Sequence, residues 1–144
     1  DAREEGAEVL VMARTDARYE HGFEEALERC KAFADLGADI TFFEAPHSEA
    51  EMERLCREVP GPKMANMVEQ GDTPLLAPER LEALGYTIAA YPLTLLSVAV
   101  RAMNQALADL AQGNSVDGLL DFAELREIVG FPEYDREQER YRPD

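Results

Sequence analysis

The stretch Val9-Leu10-Val11-Met12-Ala13-Arg14-Thr15-Asp16 is an apolar run stopped by an arginine. A short apolar run with β-branched members reads as a buried strand, predicted over residues 8–13. The same figure recurs three times. Ile40-Thr41-Phe42-Phe43 stops at Glu44-Ala45-Pro46, Met64-Ala65 at Asn66-Met67-Val68-Glu69, and Ile88-Ala89-Ala90 at Tyr91-Pro92. The polar groups stand at 14, 44, 66 and 91, about one strand-plus-helix unit apart. The pattern predicts further strands over 39–45, 63–68 and 86–91. Parallel strands in such units converge their carboxyl ends on one face, where α/β enzymes place their chemistry.

The intervening segments carry helical periodicity. Phe23, Ala26, Leu27, Cys30 and Ala34 mark a helix over 23–36, with Gly37 at its end. A polar loop is read before it, up to Gly22. Ser48 and Glu51 form a capping box for a helix with Met52, Leu55, Cys56 and Val59 on its apolar face, stopped by Pro60-Gly61-Pro62. Pro78 opens a short helix that Gly85 closes. The longest helix is read from 93 to 112, and Asp121 with Glu124 caps another. Continuous apolar strands alternating with helices define an α/β fold with a parallel sheet covered on its outer face. Four units make half of a (β/α)8 barrel or four strands of an open doubly wound sheet.

Two segments are predicted: residues 1–112 as βα units, and 113–144 as a C-terminal helix with a charged tail. Phe131, Tyr134 and Tyr141 in that tail suggest docking. Residues 1–6 resemble the last turn of a helix closed by Gly6, so the chain is expected to start in mid-fold. A closed eight-unit barrel takes roughly 250 residues, more than the 144 present.

Fourteen Lys and Arg face thirty Asp and Glu, a net charge of -16. That balance disfavours nucleic acid and anionic membranes as partners. No apolar run approaches the ~18 residues of a membrane span, and the first residues do not read as a signal peptide. Cys30 and Cys56 fall on apolar faces of different helices, read as buried free thiols in a reducing cytoplasm. No Gly-x-Gly-x-x-Gly or Gly-x-x-x-x-Gly-Lys loop follows a strand, so these nucleotide sites lack support.

Arg14 at a strand end either pairs with Glu44 or Asp16, or forks a substrate carboxylate or phosphonate. Glu44 can orient Arg14, move a proton or hold a metal-bound water. Asn66 can donate to an enolate oxygen or fix the following loop. Tyr91 can donate to a substrate oxygen or fill core. Thr15 and Asp16 read as loop-shaping; His21 and His47 lie just past strand ends, where a general base could sit, though exposed loop histidines are commoner. No His/Cys cluster has metal-ligand spacing. An aldolase would want a Schiff-base lysine at a strand end, whereas Lys31 is helical and Lys63 starts a strand.

The words Ala13-Arg14-Thr15-Asp16-Ala17-Arg18, Phe43-Glu44-Ala45-Pro46, Ala65-Asn66-Met67-Val68-Glu69, Thr73-Pro74-Leu75 and Tyr91-Pro92-Leu93 occur in order over residues 8–112. In that order they resemble the isocitrate lyase / phosphoenolpyruvate mutase superfamily, in its branch of carboxyvinyl-carboxyphosphonate phosphonomutases, 2-methylisocitrate lyases and oxaloacetate decarboxylases. The resemblance implies the last four βα units of a (β/α)8 barrel, with C-terminal helices swapped onto a neighbouring subunit of a homotetramer. It implies an Mg²⁺-dependent lyase or mutase that cleaves or rearranges a C–C or P–C bond of a small 2-oxo or 2-hydroxy carboxylate, through an enolate-like intermediate. Arg14, Glu44 and Asn66 are the implied catalytic residues, and Arg14, Asn66 and Tyr91 the implied substrate contacts. The Mg²⁺ ligands and the reactive loop are expected outside this chain, which alone is expected to be inactive and to associate. The rival reading is a non-catalytic, self-associating half-barrel or ligand-binding module.

Overall fold

The computed structural model describes residues 2–142. Its four strands are β1 (Met12–Thr15), β2 (Ile40–Phe43), β3 (Lys63–Asn66) and β4 (Ile88–Ala90), all parallel, in the sheet order β1-β2-β3-β4. Strands that neighbour one another in chain order put every crossover on the same side, by the common hand of βαβ units. A doubly wound sheet would reverse its order at a switch point. The sequential order is that of a barrel.

The helices are α1 (Ala17–His21), α2 (Phe23–Asp35), α3 (Glu49–Glu58), α4 (Pro78–Leu84), α5 (Thr94–Ala111), α6 (Phe122–Ile128) and α7 (Phe131–Arg140). The chain divides into two units, Asp1–Ala99 and Val100–Asp144. The core lies in the first. Leu27 and Cys30 of α2, Met52 and Leu55 of α3 and Leu81 of α4 pack with Phe43, Ala65, Met67 and Tyr86. Successive strand side chains point to opposite faces, so Phe43, Ala65 and Met67 lie on the helix-covered side. Phe42, Met64 and Ile88, paired across the sheet, lie on the other.

Local signals explain the boundaries. Ser48 Oγ accepts the Glu51 N–H at 3.2 Å, the first half of the capping box. Glu51 does not return the bond to Ser48; its carboxylate accepts from the His47 N–H at 2.8 Å. Asp121 caps α6 by accepting the Glu124 N–H at 2.8 Å. Gly85 ends α4 with φ +106, a left-handed conformation that favours glycine.

Three expectations need correction. The first strand begins at Met12, not at residue 8. Val9, Leu10 and Val11 are exposed, because the ladder with β2 begins only where Met12 faces Ile40. Residues 17–21 form a short helix where a loop was read; five residues show no helical period. The charged tail contains a helix, α7, opened by Pro132 in its first turn. Arg126 lies over the Phe131 ring at 4.4 Å and pairs with Asp135 at 2.9 Å. The expectation that residue 1 belongs to a helical turn lies outside the described residues. No helix among them is long and apolar enough to cross a membrane.

Candidate active site

Strand alternation decides which polar groups meet. Arg14 pairs with Phe42 across β1 and β2, and Asn66 pairs with Ala90 across β3 and β4. Arg14, Phe42, Glu44 and Asn66 therefore share the face turned away from the helices. The Glu44 N–H donates to the Thr15 carbonyl at 3.0 Å, the last rung between β1 and β2. Asn66 Nδ2 stands 3.4 Å from each oxygen of Glu44, and Arg14 Nη2 lies 3.7 Å from Glu44 Oε2. Glu44 thus links the guanidinium to the carboxamide.

Asp16 takes one edge of the Arg14 fork, accepting from Nε at 3.0 Å and from Nη2 at 2.6 Å. Asp16 occupies the N-cap position of α1 but makes no capping bond; its carboxylate is spent on Arg14, and Thr15 Oγ1 accepts the Ala17 N–H instead. The bond from Arg14 holds Asp16 below the usual carboxylate range, and the bond to Asp16 raises Arg14. The Arg14 guanidinium also lies 4.9 Å above the Phe42 ring. The structure therefore realises the pairing alternative for Arg14, with both proposed partners. The fork retains a second edge, Nη1 with Nη2, for a bidentate anion.

A cleft of about 470 Å³ opens over these groups. Arg14, Asp16, Glu44 and Asp72 line it, with Tyr19 and His21 of α1. Asn66 is not among its lining residues and is joined to the cleft only by its contact with Glu44. Tyr91 does not line it either. Asp72 and Tyr19 were invisible to sequence reasoning, since irregular loop positions carry no period. His21, one of the two histidines placed past a strand end by the sequence, lies in this lining.

Among the described residues, no group of three or more His, Cys, Asp or Glu side chains could hold a metal ion. Glu44 faces Arg14 and Asn66, and Asp16 is bound by Arg14. These residues do not fit an Mg²⁺ site by themselves.

A parallel βα array of sequential order with charged strand ends defines the chain as half of a TIM barrel with a strand-end site. The phosphoenolpyruvate phosphomutase family matches residues 1–111, and the chain belongs to that family. It is 44% identical over 127 residues to a 2,3-dimethylmalate lyase of Eubacterium barkeri, covering 85% of this chain and 44% of that protein. It is 41% identical over 131 residues to a probable 2-methylisocitrate lyase of Corynebacterium glutamicum, covering 88% and 43%. A crystal structure of oxaloacetate acetylhydrolase with the inhibitor 3,3-difluorooxalacetate superposes with a TM-score of 0.84 at 29% identity, over 92% of this chain and 46% of that one. The chain spans about half the length of the curated relatives it matches.

Proposed function

We propose that this chain is the substrate-holding half of a lyase or mutase acting on a small 2-oxo or 2-hydroxy carboxylate. The observation that carries the reading is the shared face of Arg14, Glu44 and Asn66 at the strand ends, with Arg14 and Glu44 lining a cleft that can take a small anion. In this reading the free edge of Arg14 receives the substrate's carboxylate or phosphonate. Glu44 aligns both Arg14 and Asn66. Asn66 Nδ2 donates to the oxygen on which negative charge develops as the C–C or P–C bond breaks, stabilising an enolate-like intermediate. Arg14 lies beside Phe42, so its charge acts from a partly apolar wall. Tyr91 is assigned to the outer lip of the substrate path.

The names of the relatives support a carboxylate substrate. The Mg²⁺ of this reading takes its ligands from barrel length outside this chain. Oligomerisation, with exchange of C-terminal helices between subunits of a cytoplasmic tetramer, belongs to the same proposal. Its support is the exposed apolar face of α5, including Leu96, Met103, Leu107 and Leu110. The isolated 144-residue chain is proposed to be inactive.

The test is turnover by the longer protein containing this chain, on 2,3-dimethylmalate, 2-methylisocitrate and oxaloacetate. Cleavage of one of them is expected, with Arg14→Ala losing more than about tenfold in kcat/KM. Unchanged kinetics in that variant would remove Arg14 from the site. Absence of turnover on all three would overturn the reading.

A further inference from the structure

Arg18, His47 and Glu51 form a second polar cluster, just behind the site. Arg18 Nε donates to Glu51 Oε2 at 3.1 Å and Nη2 donates to Oε1 at 2.9 Å, a bidentate fork between side chains that are each only 19% exposed. Arg18 Nη2 also lies 3.0 Å from His47 Nδ1, and the His47 N–H donates to Glu51 Oε2 at 2.8 Å. Burial opposes ionisation of Glu51, yet the Arg18 fork and the His47 N–H outweigh it and hold the carboxyl below its usual range.

The two segments joined here carry the site. Arg18 sits on α1, whose five residues follow Thr15 and Asp16 directly. A helix that short has no stability of its own. His47 and Glu51 both follow the turn at Glu44-Ala45-Pro46, Glu51 in the first turn of α3. In that turn Ala45 has φ +55, a left-handed conformation in a residue with a Cβ. Such strain persists only where the surroundings over-determine it. The Arg18–Glu51 fork is the long-range bond best placed to do so: it bridges from α1 to the first turn of α3 and spans the loops after β1 and β2.

We propose that Arg18 and Glu51, with His47, are positioning residues that lock the Glu44-Ala45-Pro46 turn against the end of β1, so that Arg14 and Glu44 meet in register. The proposal deepens the carboxylate-lyase reading and rests on it for its catalytic arm. Arg18 reaches Glu44 only through the backbone, by way of the turn and the Thr15–Glu44 rung.

A second arginine supplies the control. Arg54 of α3 forks Glu24 of α2 at 2.5 and 2.9 Å and reaches Glu58 at 2.7 Å. It is as well bonded as Arg18 but binds helix to helix and lines no part of the cleft.

The experiment compares Arg18→Lys, Glu51→Gln and Arg54→Gln in the longer protein. Kinetics are read on whichever of the three carboxylates turns over, and exchange of the Glu44 amide is read by NMR. Arg18→Lys and Glu51→Gln should each lower kcat about tenfold with KM within about twofold, as misplaced reacting groups do. Exchange of the Glu44 amide, whose N–H forms the last rung, should rise about tenfold in both. Arg54→Gln should leave both readouts at the parent level. Parent-like kcat and exchange in Arg18→Lys and Glu51→Gln would overturn the proposal. So would equal losses in Arg54→Gln, which would mark a general loss of stability. If no carboxylate turns over, the function reading fails, and the Glu44 exchange rate alone decides the positioning role.

Discussion

The two ends of the sheet are built to opposite specifications. At the carboxyl end, Arg14, Asp16, Glu44 and Asn66 are charged or polar, partly open and bonded to one another across three strands. At the amino end, Lys63 opens β3 among Cys30, Cys56 and Tyr86. Its ammonium is buried and donates to the Gly61 carbonyl at 2.6 Å. Desolvation pushes the Lys63 ammonium down and both thiols up, Cys30 to about 12 and Cys56 to about 11. Titratable side chains are plentiful at both ends. At the carboxyl end they are paired with one another across the strands and line a cleft. A buried ionisable group is therefore a poor guide to the working end of a barrel; pairing above an open cavity is a better one.

The largest effect that sharpens this contrast belongs to neither end. Leu27→Ala removes a fully buried side chain between α2 and the sheet. It should cost about 2–5 kcal/mol of unfolding free energy in urea titration, while leaving the affinity of the site for its carboxylate intact. The Arg14→Ala loss comes next, and it should appear in kcat/KM with little change in stability. A variant in which both quantities collapse together would erase the distinction between scaffold and site.

Lys63→Met tests the amino end. It replaces a buried ammonium with an apolar chain of similar length. Unfolding free energy should stay within about 1 kcal/mol of the parent or exceed it, and turnover should not change. A loss of turnover would make the amino end functional and break the comparison.

The smallest effect concerns the thiols. The thiolate is the reactive form, and Cys30 and Cys56 are held neutral by burial. Cys30, fully buried, should resist a disulfide reagent at neutral pH and react only on unfolding, while the half-buried Cys56 should label slowly. In the unfolded chain they ionise near about 8.5. Their contribution to stability is therefore complete below that pH and is lost as pH rises toward the folded values. Rapid labelling of Cys30 in the native protein would contradict its burial.

Much of this architecture was legible in the chain. The strands β2, β3 and β4 and the helices α2 to α5 follow their apolar periods to within a few residues, because each buries one face. Val9-Leu10-Val11 misled because an apolar run says that a segment wants cover, not where its ladder begins. The helix α1 escaped because Ala17 is its only buried residue. Arg14, Glu44 and Asn66 could be picked out because each interrupts an apolar strand. The Arg18–Glu51 fork could not, since its partners are 33 residues apart and neither interrupts a pattern. Asp16 reads both as a loop residue and as a partner for Arg14, and the structure pairs it with Arg14.

The alternation of faces along these short strands has a consequence for how such a chain can vary. Arg14, Glu44 and Asn66 meet because they occupy even-numbered places in register, while Phe43 and Ala65 turn toward the helices. Deleting one residue inside β2 would send Phe43 to the cleft and Glu44 into oil. Substitutions can be absorbed one at a time. Changes of length can be absorbed only in the loops or, within a strand, in pairs. The arithmetic of odd and even thus guards the site more strictly than the chemistry of any single side chain.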